Sequence, residues 1–464
     1  MSFHLSRRSF LTGVAASAAV AALPRGASPL PASLADVIRR PDSLPDPHRP
    51  AGTPDPRIPI EHVVVVMMEN HSFDNYLGML PRRGLRAADG FDFDRTGNPT
   101  AINSTADGHQ VRAFRMPSYC QQESEPRQDW NGTKIEVNGG QMDGFVRASG
   151  DVAMGYWDED DIPFYYSLAK TFPLANRWFA SAPCQTYPNR RFLQAATAYG
   201  LVSTTTPGPN DPPPPNGTIF DRLNTYGLSW TNYFTDLPQT AIIPATVKGN
   251  PTHYAPIGQF YADCAAGSLP AFSLVDPDFG IADVAGGLVP GQPVPTVVRA
   301  QGQDEENPQN IRYGEQFVAQ VVNAVMSSPA WPSTLLLWVY DEHGGYYDHV
   351  PPPRAIAPDA IAPQLQPGDI PGGYDSYGLR VPAVVVSPWA RRGHVSGVVH
   401  DHTSVLAFVE RKWNLPALTY RDANAAPMLD FLDFRRPAFL APPTLAAAPS
   451  PLGDRGCDTT DPGH

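Results

Sequence analysis

Short apolar runs without alternating polar residues recur along the chain. Val63–Met68, Leu335–Val339 and Ala383–Val386 are such runs, and Phe272–Val275 is a weaker one. Several are rich in β-branched residues. Strands of a parallel sheet are buried on both faces, so their sequences lack the alternation of half-exposed strands. The pattern predicts parallel strands at these four positions.

Helical patterns lie between the apolar runs. Gly314–Met326 and Thr403–Trp413 carry apolar residues three and four positions apart, and a further helical stretch is predicted at Arg191–Tyr199. Strands that alternate with helices are typical of an α/β fold. We therefore expect a mainly parallel central sheet sandwiched by helices.

Composition divides the 464 residues into four parts. Residues 1–35 form a signal segment, 36–57 a Pro-rich linker, 58–434 the main domain, and 435–464 a tail rich in Ala and Pro. The chain is 42% hydrophobic and 10% aromatic, and disordered chains have few aromatic residues. The main domain is therefore expected to be globular.

The first residues resemble an export signal. Arg7 and Arg8 stand directly before Ser-Phe-Leu, and an Ala-rich apolar stretch, Phe10–Leu23, follows. This stretch is too short to span a bilayer permanently, and the Arg pair matches a twin-arginine signal. The alternatives are an ordinary secretory signal or a chance Arg pair. We expect a periplasmic, cell-wall-associated or secreted protein with no transmembrane anchor after cleavage.

Charge and cysteine spacing exclude two kinds of site. The net charge of −12 leaves no electrostatic footprint for nucleic-acid binding. The spacings of Cys120, Cys184, Cys264 and Cys457 fit no zinc motif. Outside the cytoplasm one or two disulfides could form, and the sequence does not pair them.

Polar residues follow two of the predicted strands. Glu69 and Asn70 come directly after the first strand, and Asp341 and Glu342 follow the Leu335–Val339 strand after one residue. Carboxyl ends of parallel strands lie along one edge of a sheet, so the two pairs can meet. Three carboxylates and an amide oxygen would form a hard, oxygen-rich site for a divalent metal ion. The alternative is that each pair caps a helix or forms a turn.

The segment Ala182–Arg190 precedes the helical stretch predicted at Arg191–Tyr199. Thr186 is expected just before that helix, where free N–H groups and the positive dipole end favour a phosphoryl group. A threonine hydroxyl becomes a nucleophile when a base or a metal ion activates it. The alternative is that Thr186 only caps the helix.

Histidines supply candidate acids and phosphate contacts. His349 lies in Tyr347-Asp-His-Val-Pro, His402 lies just before the helix that starts at Thr403, and His343 follows the Asp341-Glu342 pair. Each of the three could instead be a structural histidine held by hydrogen bonds.

Taken together, these motifs resemble a known enzyme family. The segments that carry the resemblance are Glu69–Asp74, Asn138–Phe145, Met154–Trp157 with Pro163–Tyr166, Thr186–Arg190, Tyr340–Gly345, Asp348–Pro353, Arg380–Pro382 with Ser387–Trp389, and Asp401–Ser404. In this order they are similar to the bacterial phosphoesterase family of non-specific phospholipases C and acid phosphatases, across about residues 60 to 412. The family has an alkaline-phosphatase-like fold.

The resemblance implies a role for individual residues. Glu69, Asn70, Asp341 and Glu342 would hold the metal centre, and Thr186 would attack phosphorus and carry the phosphoryl group transiently. His349 and His402 would act close to this centre. Substrate-binding roles are assigned to three further residues, which are Asn189, Gln128 and Asn307.

Two positions depart from the family pattern. Gln128 stands two residues before Trp130, where the family commonly has His, and Asn307 stands before Pro308 in place of a second His. Both side chains can form hydrogen bonds, but neither carries a proton near neutral pH. If those histidines protonate the leaving group, catalysis in this chain should favour better leaving groups.

Three functions remain open on the sequence alone. The first is a phospholipase C that releases diacylglycerol and a phosphorylated headgroup, and the second is an acid phosphatase with the same core. The third is a weakly active protein that binds phosphate or lipid. A lipase should offer an apolar approach, for which the aromatic cluster Tyr156, Trp157 and Phe164–Tyr166 is a candidate. The alternative is that this cluster belongs to the core.

Overall fold

The computed structural model describes residues 38–121, 126–281, 290–292 and 302–451. The predicted signal segment, residues 1–35, lies outside the described residues, as does Cys457. The strands in chain order are β1 (His62–Met68), β2 (Ile102–Ser104), β3 (Gln110–Arg112), β4 (Phe114–Arg115), β5 (Gly155–Tyr156), β6 (Leu174–Ala175), β7 (Trp230–Phe234), β8 (Tyr254–Pro256), β9 (Phe272–Val275), β10 (Thr334–Tyr340), β11 (Ala383–Val386) and β12 (Val395–Ser396). All four predicted strands are confirmed, as β1, β9, β10 and β11.

The α-helices lie mostly between these strands along the chain. They are α1 (Phe73–Leu77), α2 (Trp130–Val137), α3 (Phe145–Ser149), α4 (Pro163–Thr171), α5 (Thr186–Ala195), α6 (Ile219–Thr225), α7 (Pro244–Gly249), α8 (Ile257–Ala266), α9 (Ile311–Ser327), α10 (Thr403–Trp413) and α11 (Tyr420–Ala423). The predicted bounds of α10 are confirmed. Helix α9 begins three residues earlier than predicted because the side chain of Asn310 caps it, accepting from the Arg312 N–H.

Within the described residues the central sheet has eight strands, in the order β12-β6-β11-β10-β1-β9-β7-β8. Strands β10, β1, β9, β7 and β8 are mutually parallel, whereas β11 runs antiparallel to β10. The prediction that β11 is parallel was therefore wrong. Its four residues are all buried, and an apolar run buried on both faces gives no information on strand direction. The α/β class with a mainly parallel sheet is confirmed.

The middle of the sheet forms the centre of the core. Every residue of β10 is buried, as is β1 from Val63 onwards. The aromatic cluster Tyr156, Trp157 and Phe164–Tyr166 is also buried and belongs to this core. The structure thus favours the core alternative for that cluster, and it does not form an apolar mouth.

The segments that flank the predicted main domain pack onto it. Asp55, from the stretch predicted as a linker, is 1% exposed and pairs with Arg57 at 2.8 Å and with Arg411 of α10 at 3.3 Å. In the predicted tail, the carbonyl oxygen of Phe439 accepts from the Trp331 indole at 2.8 Å. From Arg39 onwards the described residues belong to one compact unit.

Two further properties bear on the environment of the protein. Cys184 and Cys264 are buried free thiols, and Cys120 is disulfide-bonded. None of the helices in the described part of the chain combines the length and the apolar character needed to cross a membrane.

Candidate active site

The predicted metal ligands lie where two neighbouring central strands end. Met68 and Tyr340 are paired across β1 and β10, so Glu69 and Asp341 follow at the same edge of the sheet. The backbone N–H of Asn70 donates to Oδ1 of Asp341 at 3.3 Å. All four predicted ligands are buried. The structure thus brings together two pairs that lie about 270 residues apart in sequence.

A glycine allows the two loops to approach closely. Gly344 has a φ of +66°, and a Cβ at this position would lie 1.9 Å from the carbonyl oxygen of Asn70. Its N–H donates to Oε2 of Glu342 at 2.8 Å. Only glycine fits both the left-handed backbone and the short separation. This explains why Gly follows Asp-Glu-His in the motif.

Helix α5 begins at Thr186, and the prediction of a helix from Arg191 to Tyr199 was wrong in its bounds. Pro188 lies in the first turn of the observed helix, where a missing N–H costs nothing. The helix ends at Ala195 because Ala196 adopts a left-handed conformation with a φ of +58°. Thr186 is the first helical residue, and Gln185 occupies the N-cap position. The alternative that Thr186 is the N-cap residue is therefore wrong.

Arg190 connects α5 to both strand ends. Its Nη2 lies 3.1 Å from Oε1 of Glu69, and its Nε lies 3.0 Å from Oδ2 of Asp341. Its Nη2 also donates to the carbonyl oxygen of Met68 at 3.3 Å. Residues four apart share one face of a helix, so Thr186 is on the face of α5 that meets these carboxylates. No role was predicted for Arg190 from the sequence, although it belongs to the Thr186 motif.

Cys184 and Tyr187, close to Thr186 in sequence, lie in the field of two predicted ligands. Burial raises the pKa of the Cys184 thiol, and the charge of Glu342 raises it further. Burial also raises the pKa of the Tyr187 phenol, with a further contribution from Glu69. Thr186 itself is buried. Its role as the nucleophile stays a prediction, which this location supports.

Asn189 organises the loop that leads to Thr186. Its Oδ1 accepts from the Ala182 N–H at 2.9 Å, and its Nδ2 donates to the carbonyl oxygen of Cys184 at 2.6 Å. Nδ2 also lies within hydrogen-bonding distance of two other carbonyl oxygens of the loop. The side chain predicted to bind substrate is thus engaged with the backbone, and it holds Thr186 in position.

The predicted metal ligands have unused oxygen atoms. Within the described residues, neither polar atom of the Asn70 amide has a hydrogen-bond partner, and Oε1 of Glu342 also lacks one. Burial raises the pKa of Asp341 well above its ordinary value, and the charges of Glu69 and Glu342 add to this effect against that of Arg190. Buried, unpaired oxygens in a concentration of negative charge fit a divalent cation.

A second set of carboxylates lies beside Glu69. Oxygen atoms of Glu69, Asp304 and Glu306 all lie within 4.8 Å of one another. Asp276, directly after β9, is a further buried carboxylate, and burial raises its pKa to about 6. None of the three residues Asp276, Asp304 and Glu306 was predicted from the sequence. Asp276 follows a predicted strand, so the rule that found Glu69 and Asp341 would also have found it; Asp304 and Glu306 lie on a loop with no such signal.

His343 supplies positive charge beside Glu342. Its Nε2 lies 2.7 Å from Oε2 of Glu136, and its Nδ1 lies 3.1 Å from Oε2 of Glu342. Burial alone would lower the pKa of His343, but the charge of Glu136 and the hydrogen bonds to both carboxylates raise it to about 10. The two carboxylates thus favour the imidazolium form of His343, whose positive charge would offset part of the buried negative charge.

His402 touches the centre through the backbone of a ligand. Its Nε2 lies 2.7 Å from the carbonyl oxygen of Asp341, and its Nδ1 accepts from the Trp178 indole at 3.4 Å. Burial lowers the pKa of His402 to about 4. The ring is thus neutral with both nitrogens in use, which suits it to hold Asp341 in place. The catalytic role predicted for His402 stays untested.

His349 belongs to a separate cluster of charged residues. Its Nδ1 lies 2.6 Å from Oδ2 of Asp74, and Arg380 pairs with Asp74 at 3.2 Å and with Asp348 at 2.9 Å. Among the described residues, its hydrogen bonds and ion pairs reach none of the four predicted metal ligands. The structure does not join His349 directly to the centre that the sequence predicted for it.

An apolar cavity of about 270 Å³ opens beside Glu69 and Arg190. Its walls come from the residue after Thr186, from the segment between β7 and α7, and from the residues after β9. The apolar residues that line it include Tyr187, Leu237, Pro238, Ala241, Ile242 and Phe279. The centre is thus open to an apolar chamber.

The sequence profile of the Phosphoesterase family matches residues 60–416. The chain belongs to this family. The chain is 30% identical to a non-specific phospholipase C of Arabidopsis thaliana over 410 residues, which are 81% of this chain and 72% of that protein. It is also 30% identical to a non-hemolytic phospholipase C of Burkholderia pseudomallei, covering 91% of this chain and 63% of that protein. The protein is therefore a phosphoester hydrolase.

The phosphoesterase also shows a distant likeness to a solved structure. This is an alkaline phosphatase superfamily protein from Vibrio parahaemolyticus, with 12% identity, 75% of this chain and 77% of that chain covered, and a TM-score of 0.34. At this distance the likeness assigns neither ligands nor substrate.

Both departures from the family pattern lie in buried positions. Asn307 directly follows Glu306, and its Oδ1 accepts from the Tyr346 hydroxyl at 3.2 Å. Gln128 is 6% exposed and follows Arg127, whose carbonyl oxygen lies 2.8 Å from where a Cβ on Gly345 would be. Their assignment to substrate binding stays a prediction.

Proposed function

We propose that this phosphoesterase is a phospholipase C that acts through a phosphothreonine at Thr186. The observation that carries the proposal is the pair of ion contacts made by Arg190, which join the helix that begins at Thr186 to Glu69 and Asp341. The names of the relatives support the substrate class, since they are phospholipases C from plants and bacteria. The substrate is a phospholipid, and the products are diacylglycerol and a phosphorylated headgroup.

The reaction has two steps. The Thr186 oxygen forms a bond to phosphorus as the bond from phosphorus to the diacylglycerol oxygen breaks. The threonine hydroxyl loses its proton, and the departing alcohol oxygen takes up one. Water then attacks the phosphothreonine, which releases the phosphorylated headgroup and restores the hydroxyl. N–H groups in the first turn of α5 can donate to the phosphoryl oxygens.

Four residues would hold a divalent cation, namely Glu69, Asn70, Asp341 and Glu342. A bound cation would act as a Lewis acid that offsets the negative charge of the phosphoryl group. Asp304 and Glu306 are candidates for completing its ligand set from the side of Glu69. Arg190 keeps Glu69 and Asp341 close together through its own positive charge.

Metal analysis combined with three substrates tests this function. Purified protein is assayed on phosphatidylcholine, on the diester p-nitrophenyl phosphocholine and on the monoester p-nitrophenyl phosphate. We expect bound divalent metal and preference for the diesters. Hydrolysis of the monoester alone would favour the acid phosphatase alternative, and no hydrolysis of any of the three would favour the binding-protein alternative.

Three variants test the ligand set. Asp341→Asn should lower bound metal and activity together, because it removes a charged oxygen ligand at little change in volume. Glu306→Gln tests whether the carboxylates of Asp304 and Glu306 also bind the metal, since bound metal would then fall in this variant too. Asp263→Asn on α8 is the control and should leave both quantities unchanged. Full metal content in Asp341→Asn would exclude Asp341 from the ligand set.

We also propose export by the twin-arginine route, on the strength of Arg7 and Arg8 before an Ala-rich stretch. This route carries folded proteins, which suits an enzyme that binds its metal before export. Replacing both residues by Lys should retain the precursor in the cytoplasm, as immunoblots of cell fractions would show. Unchanged export of the double variant would exclude the route.

A further inference from the structure

We propose that the cavity beside Glu69 and Arg190 is the subsite for the acylated glycerol of the substrate, the part that leaves as alcohol. This inference rests on the proposed function, because it assigns the diacylglycerol part of a phospholipid substrate to the cavity. Glu69 and Arg190 line the cavity and also belong to the centre. A substrate whose phosphorus lies at the centre can therefore extend directly into it.

The walls of the cavity suit an apolar group. Leu237, Ile242 and Ile281 contribute aliphatic surface, and the Phe279 ring lies 5.0 Å from the Arg190 guanidinium carbon. The apolar wall and the charged end of the cavity are thus in direct contact. Pockets of this composition bind apolar ligands and fix them by a few polar groups at one end.

Gln239, one of the polar residues that line the cavity, is already engaged in hydrogen bonds. Oε1 of Gln239 accepts from Arg190 at 3.5 Å, and its Nε2 donates to Oδ1 of Asp276 at 2.5 Å. These contacts direct the amide of Gln239 toward its neighbours. The wall also holds Thr206, whose buried Oγ1 has no hydrogen-bond partner among the described residues. The rest of the lining is mainly apolar, so a charged headgroup would lose its hydration here, whereas acyl chains would fill the cavity without breaking the hydrogen bonds of Gln239.

The size of the cavity limits what it can hold. A volume of about 270 Å³ lies just below the range of roughly 300–1,000 Å³ for pockets that enclose a drug-sized ligand. The cavity therefore receives the glycerol and the first methylenes of the chains, while longer chains extend beyond it. Burying one methylene is worth about fourfold in affinity, so the gain should stop once the cavity is full.

Short-chain phosphatidylcholines test this subsite. We expect kcat/KM of the wild type, measured below micelle formation, to rise severalfold per added methylene at first and then level off. Ala241→Phe fills the cavity and should lower kcat/KM on dihexanoyl phosphatidylcholine at least tenfold. Leu237→Asn makes the wall polar without adding volume and should flatten the chain-length dependence. The matched control is Leu228→Asn, since Leu228 is also half-buried but does not line the cavity.

Binding of the product separates this proposal from the proposed function. Calorimetry with dihexanoylglycerol should give a negative heat-capacity change in the wild type, as expected for burial of apolar surface, and no binding in Ala241→Phe. If the wild type binds this alcohol but hydrolyses no phospholipid, the proposed function fails and the apolar-alcohol subsite is retained. Equal binding of dihexanoylglycerol by the wild type and Ala241→Phe would overturn the subsite. So would a loss of chain-length dependence in Leu228→Asn as large as that in Leu237→Asn.

Discussion

Two buried arginines, Arg190 and Arg380, stand in similar positions and differ in what surrounds them. Each is at most 1% exposed and pairs with buried carboxylates, which are Glu69 and Asp341 for Arg190 and Asp74 and Asp348 for Arg380. Arg380 also lies 3.9 Å from the half-buried carboxylate of Asp89. Both clusters contain segments that carry the family resemblance. Sequence motifs alone therefore give them the same weight.

The difference lies in how completely each cluster satisfies its polar atoms. Around Arg380, the guanidinium also donates to the carbonyl oxygens of Asp89 and Asn176, at 2.9 and 3.2 Å. Around Arg190, the described residues leave the Asn70 amide and Oε1 of Glu342 without partners. Unpaired buried polar atoms are costly to stability. Unpaired polar atoms beside an apolar cavity favour a ligand at the Arg190 cluster. In the Arg380 cluster, Asp74, Asp348 and His349 also bring ligand atoms within 4.8 Å of one another, but their pairing with Arg380 favours a structural role.

The largest expected effect is the fall in kcat when Thr186, which lies four residues before Arg190 on α5, is replaced by Ala. Thr186→Ala removes the attacking oxygen at a small change in volume, so metal content and folding should be retained. The loss of a covalent nucleophile costs about a millionfold in kcat in a serine protease, and we expect a fall of several powers of ten. Thr186→Ser should keep part of the rate. Steady-state kinetics on p-nitrophenyl phosphocholine measures the effect.

Thr403 offers a matched control for Thr186. It is also a buried threonine at the first position of a helix, and its hydroxyl donates to Asp401 at 2.6 Å. Thr403→Ala should cost stability through that lost hydrogen bond and leave kcat within a few-fold. Near-normal hydrolysis by Thr186→Ala with full metal content would make water the direct nucleophile.

The positions of Glu69, Asn70, Asp341 and Glu342 could be predicted from the sequence because they depend on a simple geometric rule. Apolar runs identify buried strands, and the residues after them lie at one edge of a parallel sheet. The rule found the two pairs because each follows a long apolar run. It gives no information on side chains that reach the centre from a helix or a loop. Arg190 and the Asp304–Glu306 loop therefore appeared only in three dimensions.

The prediction for His349 shows what a motif alone leaves undecided about the position of a residue. The motif around His349 is as specific as that around Asp341, and the sequence provides no means of separating a residue at the centre from one that braces it. The structure connects His349 to Asp74 and Arg380. These contacts support a bracing role for His349, and the catalytic role predicted for it stays untested.

The second prediction compares the two arginines directly. Removing one partner of a buried ion pair leaves uncompensated charge and typically costs about 3–5 kcal/mol. Arg380→Met should lose this amount in urea unfolding, with or without added divalent metal. Arg190→Met should lose a similar amount without metal and recover much of it with metal, because a cation can neutralise Glu69 and Asp341. If metal rescues both variants equally, the two clusters do not differ in the way proposed.

The smallest expected effect is the contribution of His349 to the pH dependence of the thermal midpoint. Burial alone would lower the pKa of His349, but the charge of Asp74 and the hydrogen bonds to Asp74 and Asp89 raise it to about 10. A histidine whose folded pKa is raised contributes stability that is fully present below its unfolded pKa, about 6.5. That contribution is lost as pH rises through about 10. The thermal midpoint of the wild type should therefore fall toward that of His349→Gln between pH 7 and pH 10.

This pH profile also tests which cluster His349 belongs to. The ring is 33% exposed, so solvent screening should keep the change in the midpoint modest. His109→Gln, at an exposed position, is the control and should run parallel to the wild type. A difference between the wild type and His349→Gln that stays constant from pH 7 to pH 10 would mean that the ring is uncharged at neutral pH. A loss of kcat in His349→Gln as large as that in Thr186→Ala would instead place His349 with the catalytic residues, because a residue that only braces the fold should affect stability more than rate.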